Sequence, residues 1–260
     1  MKARLWILAI IILLCLCAPL LTRADPTRTN ADMFLQAPSR EHLLGTDHLG
    51  RDVWARLLWG GQRTLFLGVI ATGLSLAIAT VFIIFTTLLP RFLKNFVKQV
   101  LYSLVTLPPL IICLLVLTLV DRGAGWLVLA AAIVQVPSLV VMLMARADMI
   151  ERKDYVLAAQ SMGATPLHIM RTHIKRSLQP TFIALGVLNF SYALGMIATL
   201  SFLGLSNEPG VAEWGVMIAE ARQSFFSAFW IPLAPGLALT IVISSVNSLA
   251  KVLENTSLGD

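Results

Sequence analysis

Long apolar stretches, broken at intervals by short polar ones, dominate the pattern along this chain. The first runs from Leu5 to Leu21, behind Lys2 and Arg4. Others cover Thr64 to Leu89, Val97 to Val120, Trp126 to Met144, Thr181 to Leu205 and Trp230 to Leu249. A helix crossing a bilayer needs roughly 20 apolar residues, so the pattern predicts an all-α membrane protein of about six transmembrane helices. The first run has the basic-then-apolar order of a signal peptide, with Ala24 as a weak cleavage position. No convincing small-x-small site precedes that boundary, and the run is read as a retained span. Pro108 and Pro109 interrupt the third run, remove backbone donors and predict a kink there.

Between the first two runs, residues 23–63 form a polar connector in which arginines and acids nearly balance. Asp52 can cap a helix in which Val53, Leu57 and Leu58 share one stripe, and a short amphipathic surface helix is expected. The organisation that follows is a first span with its loop and surface helix over 1–63, a five-helix core over 64–253, and a tail over 254–260. A second polar stretch, 151–176, is too short to be a domain. Its first helix is expected from about Lys153 to Met162, closed by Gly163, and its second is capped by Thr165 with Pro166 at the first position. Such a pair either lies on the membrane surface with snorkelling basic side chains or docks on a cytoplasmic partner.

Composition sharpens the picture. The 260 residues are 57% hydrophobic and only 13% charged, against about 25% charged in soluble domains. The formal charge of +6 could suggest nucleic acid, but the basic residues sit in loops beside apolar runs, and no nucleic-acid partner is expected. The short loop holding Arg91, Lys94 and Lys98 places that side in the cytoplasm, with both termini. Cys15, Cys17 and Cys113 lie in apolar runs and suggest neither a disulfide framework nor a metal site. The four histidines form no cluster, and no nucleophile elbow or phosphate-binding loop is present. No enzyme activity, cofactor or resident metal is expected, and any use of ATP must come through a partner.

Several blocks resemble one family. Ala158, Ala159, Gly163 and His173-Ile174 are similar to the cytoplasmic coupling motif of importer-type ABC transporter permeases. Gly45-Thr46-Asp47 with Gly50-Arg51-Asp52 resembles the outer-loop motif of the second permease of dipeptide, oligopeptide and nickel importers. Leu200-Ser201-Phe202-Leu203-Gly204-Leu205, then Glu213 to Ile218, Ala221-Arg222-Gln223, Pro235 to Ala238 and Asn247 follow in the family's order. The resemblance spans most of 43–247. Leu157 departs from it where an acid is usual, and Lys175-Arg176 stands in place of an apolar-Pro pair.

The resemblance implies a translocation subunit, one of two different permeases, with two cytoplasmic ATPases, an extracytoplasmic substrate-binding protein and the surrounding lipid as partners. ATPase coupling would fall to Asp154, Ala158, Ala159, Gly163, Ile169 and His173, and the break at Pro108 and Pro109 could absorb motion. Arg51 and Asp52 are expected to brace the outer loop rather than touch ligand. His48 and the Glu213–Gln223 run look most like nickel permeases, with metal chelates or short peptides as the other cargoes. A secondary transporter would carry charges deep in its spans, whereas here the interiors hold Gln135, Ser191, Tyr192 and Asn247. A channel would leave the docking segment unexplained, and a non-transporting scaffold would be insensitive to changes at Gly163.

Overall fold

The computed structural model describes residues 2–87, 89–120, 123–206, 208 and 210–258. Every regular element in them is helical, apart from a single bridge between Thr46 and Asp52. The chain opens with α1 (Lys2–Leu16), then α2 (Ala18–Leu21). Pro19 stands in the first turn of α2, where its missing N–H costs nothing but prevents α1 from running on. The membrane-length helix α3 (Val53–Thr87) follows, then α4 (Arg91–Val105), α5 (Pro109–Thr118) and α6 (Ala124–Glu151). The short helices α7 (Asp154–Ser161) and α8 (Pro166–Ile169) lead into α9 (Lys175–Phe202). Helices α10 (Trp214–Glu220) and α11 (Trp230–Leu258) complete the chain. The turn expected at Asp121 and Arg122 lies outside the described residues.

Among the described residues four helices, α3, α6, α9 and α11, are long and apolar enough to cross a membrane. Treated as one span, α4 and α5 make a fifth, although the chain bends by 92° between them. Among the described residues four or five spans are thus clear, where about six were expected. With 15 residues, α1 is about 22 Å long at 1.5 Å per residue, short of the roughly 30 Å hydrocarbon thickness. The kink expected at Pro108 and Pro109 is a full break. Pro108 is extended (φ −58°, ψ 121°) and Pro109 starts α5, because a residue that precedes proline is pushed out of the helical region. On the near side of the break α4 is amphipathic. Its Lys94 reaches Asp148 at 3.3 Å and Glu151 at 3.6 Å, and Lys98 also pairs with Asp148, so α4 is tied to the end of α6.

Helix α9 is the centre of the bundle, touching α3, α6, α10 and α11. Helix α6 is lined by buried Ala130, Ala131 and Ala132, with Leu139, Val140 and Leu143 further along. Small residues let the backbones approach, which is how helices associate where lipid supplies no hydrophobic drive. Among the helical glycines, Gly215 lies closest to the backbone of a neighbouring helix. A Cβ there would sit 2.6 Å from the carbonyl oxygen of Ala198 and 2.8 Å from its Cα. Since those atoms are backbone, Gly215→Ala must push α10 off α9. We expect a loss of about 1–3 kcal/mol, read as a lowered melting temperature of the detergent-solubilised protein, whereas Gly73→Ala, inside α3 with open space around it, should not lower that temperature.

Two elements differ from the sequence expectation in continuity. The residues expected to form a separate surface helix are the first turns of α3, since Asp52 Oδ1 accepts from Ala55 N at 2.7 Å and starts that helix directly. At the other end α11 continues to Leu258, through residues expected as a polar tail.

Candidate functional site

Two constructions stand out, at opposite ends of the bundle. The first is the outer loop. Gly45 (φ +70°) and Gly50 (φ +69°) both sit in the left-handed region, which glycine alone adopts without cost. Between these turns, the Thr46 hydroxyl accepts from Gln36 N at 2.9 Å and donates to the Met33 carbonyl, so it fastens residues 33–36. Asp47 Oδ1 accepts from Leu49 N at 2.8 Å and from Arg51 N at 3.0 Å, and its Oδ2 accepts from Arg51 Nε at 2.6 Å. Asp52 caps α3 through one oxygen and meets His42 Nδ1 at 2.7 Å through the other.

The network extends beyond the motif. Arg51 and Arg56 are each only 1% exposed. Both reach Glu220 Oε2, at 2.6 Å and 2.8 Å, and both donate to the Gly210 carbonyl, at 3.4 Å and 3.1 Å. Glu220 Oε1 in turn accepts from Gly210 N at 3.0 Å. Two cations and two carboxylates are thus matched in a buried cluster that binds the start of α3 to α10 and to the loop before it. Sequence reading did not single out Arg56 as a site residue, and it missed Glu220, which falls between two of the blocks carrying the resemblance. Its one available signal was a surplus of arginines at the head of an apolar run.

Glu213 is built in just as firmly. It is 2% exposed, caps α10 by accepting from Gly215 N at 3.3 Å, and accepts from the Ser201 hydroxyl at 2.7 Å. Burial pushes its carboxyl above the ordinary value, while the bonds from Ser201 and Gly215 pull it down. Next to it, Trp214 N donates to Thr64 Oγ1 at 3.1 Å and Trp214 Nε1 to the Leu57 carbonyl at 2.9 Å. Glu213 and Trp214, which open the run likened to nickel permeases, are therefore engaged in holding α3, α9 and α10 together. Among the described residues, no group of three or more His, Cys, Asp or Glu side chains could hold a metal ion.

The second construction is the segment at the far end. Helix α7 starts after Lys153, with Asp154 in its first turn. It ends on Gly163 (φ +85°), where Gly163 N bonds to Gln160 O at 2.9 Å and Ala164 N to Ala159 O at 3.0 Å. That pattern is a left-handed helix stop, and it closes as expected. Thr165 Oγ1 accepts from His168 N at 3.3 Å, opening α8 behind Pro166. The second helix is not a separate one. A π-helical turn, Met170–Ile174, carries α8 straight into α9; one inserted residue of this kind rotates the faces on either side of it.

The segment has two faces. Val156, Ala159, Ile169, Met170 and Ile174 are buried, all but Ala159 packing with Met144, Ala147 and Ile150 at the end of α6. Asp154, Leu157, Ala158, Ser161 and Gly163 are exposed, and Met162 is 82% exposed. Of the residues assigned to coupling, Asp154, Ala158 and Gly163 thus point outward, while Ala159 and Ile169 anchor the segment. The side chain of His173 lies outside the described residues. A small apolar knob is thereby mounted rigidly on the ends of two spans, α6 and α9.

A bundle of membrane-length helices, carrying a braced loop at one end and an exposed knob at the other, defines a multi-pass membrane permease. Residues 79–256 match the family model described as "Binding-protein-dependent transport system inner membrane component". The chain belongs to that family and is a membrane-spanning, non-catalytic subunit of an ABC importer located in the inner membrane. It is 32% identical to a Brucella suis biovar 1 protein named "Putative peptide transport system permease protein", over 96% of this chain and 84% of the relative. It is 28% identical to the dipeptide transport system permease protein DppC of Alkalihalophilus pseudofirmus, over 94% and 80%. Against the glutathione transport system permease protein GsiD of Pectobacterium atrosepticum the identity is 28%, over 86% and 74%. All three names are of peptide or glutathione systems and none is of a nickel system.

Proposed function

We propose that this chain forms half of the translocation path of an ATP-driven importer of short peptides. A second, different permease supplies the other half. Of two cytoplasmic ATPases one seats the knob around Gly163, and an extracytoplasmic binding protein delivers cargo to the braced outer loop. With α1 crossing as well, both termini are cytoplasmic, and α4 and the coupling segment lie on that same side. The observation that carries this reading is the knob itself. Leu157 and Met162 are exposed on a helix whose other face is packed into the ends of α6 and α9, so a force on the knob moves spans and not a loose loop. ATP-driven closure of the partners would be transmitted along α8, the π-helical turn and α9 as one body.

Peptide cargo is supported by the names of the relatives and by the structural employment of Glu213, which opens the run likened to nickel permeases. The outer motif Gly45, Thr46, Asp47, Gly50, Arg51 and Asp52 acts in this reading as a brace, its polar atoms turned on one another. The test is uptake in cells lacking the gene. Labelled dipeptide uptake should be lost and should return with the wild-type chain, while labelled nickel uptake, free or chelated, should be unaffected. Loss of nickel uptake with intact dipeptide uptake would overturn the assignment.

A further inference from the structure

A cavity of about 780 Å³ opens between α1, α3 and α9, beside the loop before α10. That volume falls in the range of small-molecule sites. Its walls along the helices are apolar, with Ile12 and Leu16 from α1, Phe66 and Val69 from α3, and Phe190 from α9. Leu16, Phe66 and Val69 are exposed, so the cavity is a groove open to the side of the bundle. Counted along α9 at 1.5 Å per residue, Phe190 lies about 18 Å from the Phe202 end. The groove therefore reaches about as deep as one leaflet, roughly 15 Å or half the hydrocarbon thickness.

The polar part of the lining gathers at the outer end. Gln62 and Arg63 come just before the apolar stretch of α3, and Thr27 lies in the loop after α2. Here Arg63 Nη2 donates to Glu208 Oε2, and both side chains are half-buried. Among the described residues the Arg63 guanidinium uses only Nη2 in this way, which leaves Nε and Nη1 as donors. Arg63 lines the groove and Glu208 lies beyond it. From the interior outward the order is thus an apolar wall, a cation and a carboxylate. Trp59, also in the lining, is the kind of residue that sits at the level of lipid head groups.

That order is complementary to one kind of molecule, a phospholipid whose head group ends in an ammonium. Its acyl chain, phosphate and ammonium follow one another in the same sequence. A helix of another subunit is a poorer match, because helices in lipid approach through small residues, as at Ala130, Ala131 and Ala132 of α6, whereas Ile12, Leu16, Phe66 and Val69 are bulky. We propose that the groove holds one phospholipid with a primary ammonium head group, from the leaflet on the side of the braced loop. An acyl chain lies along Ile12, Val69 and Phe190, the phosphate accepts from Arg63 and Gln62, and the ammonium donates to Glu208. A choline head group has no N–H to donate, and a glycerol head group brings no cation to the carboxylate. The bound lipid bridges α1, α3 and α9, whatever the cargo of the importer.

The test uses the whole importer, purified with its partner subunits and given an equimolar mixture of phospholipids with ethanolamine, choline and glycerol head groups on the same chains. Native mass spectrometry reads the lipid kept by this subunit after its ejection from the complex. The wild type should keep the ethanolamine lipid about tenfold over either of the others, the size expected for one charge-assisted hydrogen bond. Exchanging the pair, Arg63→Glu with Glu208→Arg, preserves the ion pair but reverses its order along the groove. The preference should then vanish while the melting temperature stays at the wild-type value. Val69→Trp fills the apolar wall and should lower retention of all three lipids. Equal retention of the three by the wild type, or a preference that survives the exchange, would overturn the site. Should the exchanged pair fail to assemble, Val69→Trp decides, since it lies outside the pair on an exposed face, and unchanged retention there would overturn the groove. A photo-reactive side chain at Val69 that couples to the second permease instead of lipid would overturn it too, because the groove would then be a seam between subunits.

Discussion

Replacing Glu220 with alanine should unfasten the outer end of the protein, at a cost of about 3–5 kcal/mol. The carboxylate balances two arginines that are each 1% exposed, and it lies 2.6 Å from Arg51 Nη2 and 2.8 Å from Arg56 Nη2. Without it Asp47 alone must serve both cations, although its Oδ2 is already 2.6 Å from Arg51 and 3.6 Å from Arg56. One buried positive charge is left uncompensated, which is the circumstance in which breaking an ion pair is strongly destabilising. The loop before α10 loses its tether as well, because Gly210 N donates to Glu220. Thermal unfolding of the purified protein and protease cleavage of residues 206–213 from the outside should both report the change. The pair substitution Arg56→Met with Glu220→Met should recover most of the loss, since it removes one charge of each sign. Equal stability of Glu220→Ala and the wild type would show that the cluster is not a brace.

That prediction rests on contacts the linear sequence hides. The apolar runs specify where helices lie, because twenty apolar residues in succession have few other places to go. The local signals around Gly163 are likewise readable one residue at a time: a left-handed stop, a threonine cap and a proline at the first position of the next helix. Pairing between Arg51 and Glu220 is different, since it joins residues 169 positions apart, and no periodicity marks such a pair. The same limit explains the surface helix that merges into α3 and the coupling helix that merges into α9. A cap signal says where a helix starts, but the length to which it runs is set by what it packs on. The sequence pattern runs α4 and α5 together, because the apolar face of α4 is continuous in composition with α5. Only the geometry at Pro108 and Pro109 separates them.

Gly163→Val should leave the spans inserted and the subunit stable, yet remove most transport. At φ +85° a side chain strains the backbone whatever space surrounds it, by about 1–2 kcal/mol for an ordinary L-residue and more for a β-branched one. Steric crowding is not the cause, since a Cβ at this position would meet nothing within 4 Å. The strain must be relieved locally, by reopening the bonds from Gly163 N to Gln160 O and from Ala164 N to Ala159 O. Leu157 and Met162 then lose their fixed relation to the buried face formed by Val156 and Ile169. A partner ATPase reads the knob as a shape, so docking weakens although no membrane helix has changed. Co-purification of the ATPases should fall at least tenfold while insertion and melting temperature stay near wild type. Gly163→Asn, whose side chain tolerates the left-handed region better, should retain much of the coupling. A valine variant that binds its ATPases as well as the wild type would remove the coupling role from this turn. An asparagine variant as impaired as valine would shift the cause from backbone conformation to the bulk added on the exposed face.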